Sequence, residues 1–91
     1  DNADLEKGFV KAFNKLVTDR EKYMEIWQQM KLDGTPLEKI RAGQMMEAVK
    51  NDPLTRFVPE IAQLVLCEVT VLGARKYEFF FLEGSRVKVS V

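Results

Sequence analysis

From Ala3 to Leu32 the chain contains no proline and no turn cluster, and its apolar residues recur at helical spacing. Phe9, Phe13, Leu16, Arg20, Tyr23, Trp27 and Met30 follow one another at alternating intervals of four and three, the seam of a heptad helix interrupted only at Arg20. Leu5, Ala12, Val17, Met24 and Ile26 widen that stripe, so the helix is expected to pack on more than one neighbour. Asp33-Gly34 predicts its end, with Gly34 suited to the left-handed position after the last turn. Thr35-Pro36-Leu37-Glu38 predicts the next start: Thr35 as N-cap, Pro36 where a missing N–H costs nothing, and Glu38 closing a capping box. A second helix is expected from Pro36 to about Lys50, stopping before Asn51-Asp52-Pro53. So short a connection makes the two helices an antiparallel hairpin. Because the second is about half as long as the first, the Phe9–Phe13 end needs another cover.

The remainder of the chain is expected to supply that cover. Leu54 to Val65 reads as a loop and a short helix entered at Pro59, with Ile61, Leu64 and Val65 on one side. The period then changes to two. Cys67, Val69 and Val71, then Tyr77, Phe79 and Phe81, then Val87, Val89 and Val91 alternate with other residues as three strands of an antiparallel meander. A loop Leu82-Glu83-Gly84 with Gly84 left-handed sets Phe79 opposite Val87, Tyr77 opposite Val89 and Glu78 opposite Lys88. A two-residue loop would mix basic and aromatic residues on each face, and the wrong parity would move a whole side-chain set across the sheet. The same rule with loop Gly73-Ala74-Arg75 sets Val71 against Tyr77, Val69 against Phe79 and Cys67 against Phe81. One face is then continuously apolar, and the other carries Glu68, Thr70, Phe80, Arg86 and Lys88. The expected fold is α+β: a coiled-coil-like helical hairpin (helices about 3–32 and 36–50) plus a short helix, packed on a three-stranded antiparallel meander (54–91), in one unit of 91 residues.

Composition narrows the function. At 46% hydrophobic and 31% charged the chain is expected to fold rather than stay disordered. With no histidine and one cysteine it holds neither a Cys/His zinc site nor a histidine-dependent triad. Cys67 has no histidine to activate it and a predicted inward position, so it reads as a small buried hydrophobe. The carboxylates are interleaved with lysines and arginines as on solvated helix faces, and the five glycines form no phosphate loop. A small enzyme using a carboxylate pair would need two acids converging in an apolar pocket, and the spacing predicts none. Trp27 and Tyr23 read as helix packing in preference to an aromatic cage.

Two surfaces remain as candidates. Met24, Met30, Met45 and Met46 lie on both arms of the hairpin, and methionine suits exchangeable packing, so Met30, Leu32, Leu37 and Ile40 at the tip are candidates for self-association. Arg75, Lys76, Arg86 and Lys88 are the candidate DNA contacts, with Phe80 beside Arg86 as a stacking or cation–π element. Lysines and arginines equal aspartates and glutamates at 14 each, and residues 66–91 hold a surplus of only one positive charge, which argues against autonomous tight DNA binding.

The order of segments also resembles a family. Leu5-Glu6-Lys7-Gly8-Phe9-Val10-Lys11-Ala12-Phe13-Asn14-Lys15-Leu16 resembles the "FVxAFNxL" segment that follows the zinc ribbon in large serine recombinases, Ala12-Phe13-Asn14 being its most specific run. Leu64 to Val71, Tyr77-Glu78-Phe79 and Leu82 to Val89 are similar to that family's closing strands, and a coiled-coil insertion lies between the two in the family. The resemblance implies a bacterial, cytoplasmic site-specific DNA recombinase of the resolvase/invertase class, carried by mobile elements, of which this chain is a non-catalytic C-terminal part. The serine nucleophile and the zinc-binding cysteines would precede Asp1, so no residue here inherits a catalytic or metal role. The opening on Asp1-Asn2-Ala3-Asp4 without methionine fits an excised piece. DNA would be met through the parent protein, the closing strands would support its zinc-ribbon domain, and the arm, stubbier than an extended coiled coil, would join subunits in synapsis. No membrane and no small-molecule substrate is implied. The alternative is an intracellular protein-interaction module that uses its hairpin and never meets DNA.

Overall fold

A computed structural model describes residues 2–91. The elements follow as α1 (Asn2–Thr18), α2 (Arg20–Asp33), α3 (Pro36–Ala48), α4 (Pro59–Val65), β1 (Leu66–Gly73), β2 (Lys76–Phe81) and β3 (Arg86–Ser90). The strands form an antiparallel sheet in the order β1-β2-β3, so the fold is α+β with helices packed on a meander.

The long first helix is divided at Asp19, which lies at φ −97° and ψ 22°. Hydrogen bonds from Asp19 N–H to the Lys15 carbonyl and from Tyr23 N–H to the Asp19 carbonyl carry the ladder across the break. Thr18-Asp19 combines two weak helix formers, whose side chains compete for backbone partners. Arg20, the one polar member of the heptad seam, follows directly. Its Nη1 donates to the Val49 carbonyl at 3.1 Å, which satisfies the C-cap of α3 with a cation.

The core runs from α1 across β2 and β3. Phe9 and Phe13 stack at 5.9 Å, and Phe9 also meets Phe57, Phe79 and Phe81 at 5.7–6.2 Å. Edge and tilted arrangements of this kind add to the burial of the rings themselves. The cover expected for the Phe9–Phe13 end is thus the sheet together with the loop before α4. Gly8 permits the close approach: a Cβ there would stand 3.0 Å from the Phe79 ring. Asn14 ties down the loop, accepting from Leu54 N–H at 2.7 Å and donating to its carbonyl at 2.9 Å. It closes both backbone groups of one residue in a segment without regular structure.

The register of β2 with β3 has Phe79 opposite Val87, Tyr77 opposite Val89 and Glu78 opposite Lys88, and Gly84 has φ 109°. In the first hairpin Val71 faces Tyr77 and Val69 faces Phe79, but Cys67 does not face Phe81. A bulge between Leu66 and Glu68 gives Phe81 to Leu66 and turns Cys67 to solvent. Just ahead of the bulge Leu82 N–H donates to the Val65 carbonyl, a bond between residues 17 apart in sequence. The apolar face is also not continuous. Tyr77, Phe79, Phe81 and Val87 are buried, whereas Val71 is 67% exposed: α1 lies over β2 and β3, and on β1 only Leu66 and Val69 are partly covered. In α4 the buried pair is Ala62 and Val65, and Leu64 faces out. The helix leans on α3, which selects that side.

Candidate functional site

The hairpin tip is made by a capping box. Thr35 N–H donates to Glu38 Oε1 at 2.9 Å, and Glu38 N–H donates to Thr35 Oγ1 at 3.2 Å. The Thr35 backbone N–H, followed by the Thr35 hydroxyl interaction, holds the Glu38 carboxyl below its ordinary pKa. Gly34 is not left-handed. It is extended at φ −75° and ψ 170°, and its N–H donates to the Met30 carbonyl at 2.8 Å. Glycine is required there for space: a Cβ would fall 2.5 Å from the Met30 carbonyl oxygen and 3.0 Å from Glu38 Cβ. The tight link between the helices therefore depends on close backbone approach rather than on a positive φ.

Of the self-association candidates, Leu32, Leu37 and Ile40 are exposed, Leu32 by 73%, while Met30 is half-buried against the core. Ile26, outside the candidate set, is exposed on α2 as well. Leu37 and Ile40 lie three residues apart on one side of α3, a spacing that presents them together. Leu32 stands on the last turn of α2, six residues from Ile26 and turned well away from it.

At the base of the hairpin lies a polar joint that the residue pattern did not reveal. Trp27 is fully buried, and its Nε1 donates to Glu83 Oε2 at 2.7 Å. The same carboxylate accepts from Ser85 Oγ at 2.6 Å and from Ser85 N–H at 3.1 Å. Glu83 therefore joins α2 to the β2–β3 turn. Tyr23 stacks on Trp27 at 5.6 Å. Burial, and after it the carboxylates of Asp19 and Glu83, raise the Tyr23 phenol above its usual pKa. The indole is thus packed in the helix interface, with its N–H satisfied. The available signal was only that a buried tryptophan needs an acceptor.

The DNA-contact candidates do not form a single patch. Lys76, Arg86 and Lys88 share the outer face of the sheet, with Arg86 over the Phe80 ring at 5.1 Å. Glu78 stands between them, opposite Lys88, and Glu68 faces Phe80, so the charge there is mixed. Arg75 occupies the β1–β2 turn at φ 58°, and its Nε lies 3.9 Å from Asp4 Oδ2. Its neighbours across space are Lys7, Lys11 and Arg56, around a cleft between α1 and the Leu54–Phe57 loop. Among the described residues no three Cys, Asp or Glu side chains gather in a metal-binding group, and no helix is long and apolar enough to cross a membrane.

No family model, no curated protein and no solved structure matches this chain.

Proposed function

We propose that this chain is the non-catalytic C-terminal part of a large serine recombinase, in which the hairpin joins subunits and the sheet supports a DNA-binding domain. One observation carries the reading. The two segments that resemble the family, α1 and the closing strands, are far apart in sequence yet pack as one unit through Phe9, Phe79 and Phe81. The hairpin lies between them in sequence and leaves Leu32, Leu37 and Ile40 open. An arm inserted into a closed unit, with apolar residues at its free end, is the arrangement a subunit contact requires. Its reach is short, since α3 has only 13 residues.

Two measurements test this reading. The coding sequence upstream of Asp1 should encode cysteine pairs following a resolvase-like catalytic domain, and their absence from the parent overturns the assignment. Sedimentation should detect weak dimerisation that Leu37→Ser with Ile40→Ser abolishes, whereas a strict monomer at millimolar concentration removes the arm's role.

The mixed charge of the outer sheet face, with Glu78 opposite Lys88, favours a second reading as an interaction module without a DNA role. Titration of the parent protein, with and without charge reversal at Lys76, Arg86 and Lys88, against duplex DNA at two salt concentrations separates the two. Phosphate contacts by Lys76, Arg86 and Lys88 weaken steeply with salt, and a pure interaction module gives no binding at either concentration.

A further inference from the structure

We propose that the cleft between α1 and the Leu54–Phe57 loop binds an acidic peptide segment of a partner protein, anchored by an apolar side chain. Lys7, Lys11, Arg56 and Arg75 come from three separate stretches of the chain and converge on this one concavity of about 530 Å³. Glu6 also lines it and Asp4 stands behind Arg75, which leaves the rim with a positive surplus in a chain that is neutral overall. Between the cations the surface is apolar: Val10, Phe57 and Val91 face the cleft, each only half-buried.

The walls are held in place. Asn14 clamps Leu54 through both backbone groups, and Phe57 meets Phe9 edge-on at 5.7 Å, so the loop cannot swing from α1 without breaking core contacts. On the other side Lys11 Nζ donates to the Ser90 carbonyl at 2.7 Å, and Val91 N–H donates to the Arg75 carbonyl at 2.8 Å. A preformed concavity with an apolar floor and a few charged groups on its edge is the usual form of a ligand site. Charge complementarity selects an acidic occupant. The apolar floor selects a peptide over duplex DNA, whose backbone offers phosphates but no apolar group to fill a recess. This proposal is independent of the recombinase reading.

The test uses the whole chain, ¹⁵N-labelled, titrated with a capped six-residue peptide of aspartate and glutamate around a central leucine. Amide signals of Lys7, Lys11, Phe57 and Val91 should shift together, and the binding should weaken as salt is raised. Lys7→Glu or Arg56→Glu should weaken the peptide about tenfold, and Lys39→Glu on α3 should leave it unchanged. An undisturbed amide spectrum of each free variant establishes that it folds, and Arg56→Gln serves as the milder substitution. A serine in place of the peptide's leucine should also weaken binding. The proposal is overturned if millimolar peptide moves none of these signals, if the serine peptide binds equally well, if Lys39→Glu matches Lys7→Glu, or if duplex DNA shifts the cleft residues and the peptide does not.

Discussion

The base formed by α1 with the sheet and the arm formed by α2 with α3 share one heptad stripe, yet they bury it very differently. In the base, Phe9, Phe13 and Leu16 are fully buried, and four aromatic rings surround Phe9, two of them from β2. In the arm only Trp27 of the α2 stripe is fully buried, while Tyr23 and Met30 are partly covered, and α3 contributes the small Ala42 and Ala48 and the flexible Met45 to the core. A sheet covers a helix broadly, whereas a second helix of 13 residues covers a narrow strip. The arm therefore depends on polar fasteners at its base and tip: Arg20 on Val49, Trp27 on Glu83, and the Thr35–Glu38 box.

The largest break in this contrast should come from Phe13→Ala. Loss of that ring from the base should cost about 3–5 kcal/mol and lower the whole unfolding transition seen by circular dichroism and by tryptophan fluorescence alike. Glu83→Ala should come next. It leaves the buried Trp27 N–H without an acceptor, at about 1–3 kcal/mol, and the loss should appear first as faster hydrogen exchange in α2. Glu83→Gln keeps an acceptor and should cost less, while still lowering the Tyr23 pKa in a spectrophotometric titration because one of its neighbouring carboxylates is gone.

Thr35→Ala should cost about 1 kcal/mol, read as fraying of the first turn of α3. The partner Glu38 gives this fastener a pH dependence. Its folded pKa lies below the ordinary carboxylate value, so its contribution is complete above that value and is lost as the pH falls through the folded pKa. Acidification should therefore loosen the tip in the wild type, and Glu38→Gln should remove that response in amide spectra recorded against pH. The smallest effect falls on the base. Arg75 is a non-glycine residue at φ 58°, and Arg75→Gly should raise stability by less than about 1 kcal/mol, relief of backbone strain being offset by a more flexible unfolded chain and by loss of the contact with Asp4.

Several of these features were legible along the chain. The period change after Val65 announces the sheet, and parity with a three-residue loop gives the β2–β3 register, since one face must be apolar. The capping box was equally legible because it is built within four consecutive residues. The parts that were not legible depend on contacts in space that period and residue type do not specify. Cys67 follows the period of an inward residue and is nevertheless exposed, because the bulge forms where Leu82 bonds to Val65. Gly34 carries the signature of a left-handed cap and serves as a spacer between Met30 and Glu38.

The candidate surfaces divide in the same way. Leu37 and Ile40 could be placed at the tip from helix boundaries alone, since a tip residue on a short helix has few neighbours to cover it. The charged surfaces could not. Arg75 stands beside Lys76 in sequence but turns toward Asp4 and the cleft, joining Lys7, Lys11 and Arg56.

By itself, then, the sequence determined the helical hairpin, the meander, the strand parity and the absence of any histidine chemistry, because these follow from local period, local caps and residue identity. Only the tertiary structure decided that α1 covers β2 and β3 but not β1, that Glu83 fastens Trp27, and that four cations of a neutral chain meet at one cleft. Each of these joins segments tens of residues apart, and periodicity fixes which side of an element is apolar without fixing which distant segment will cover it.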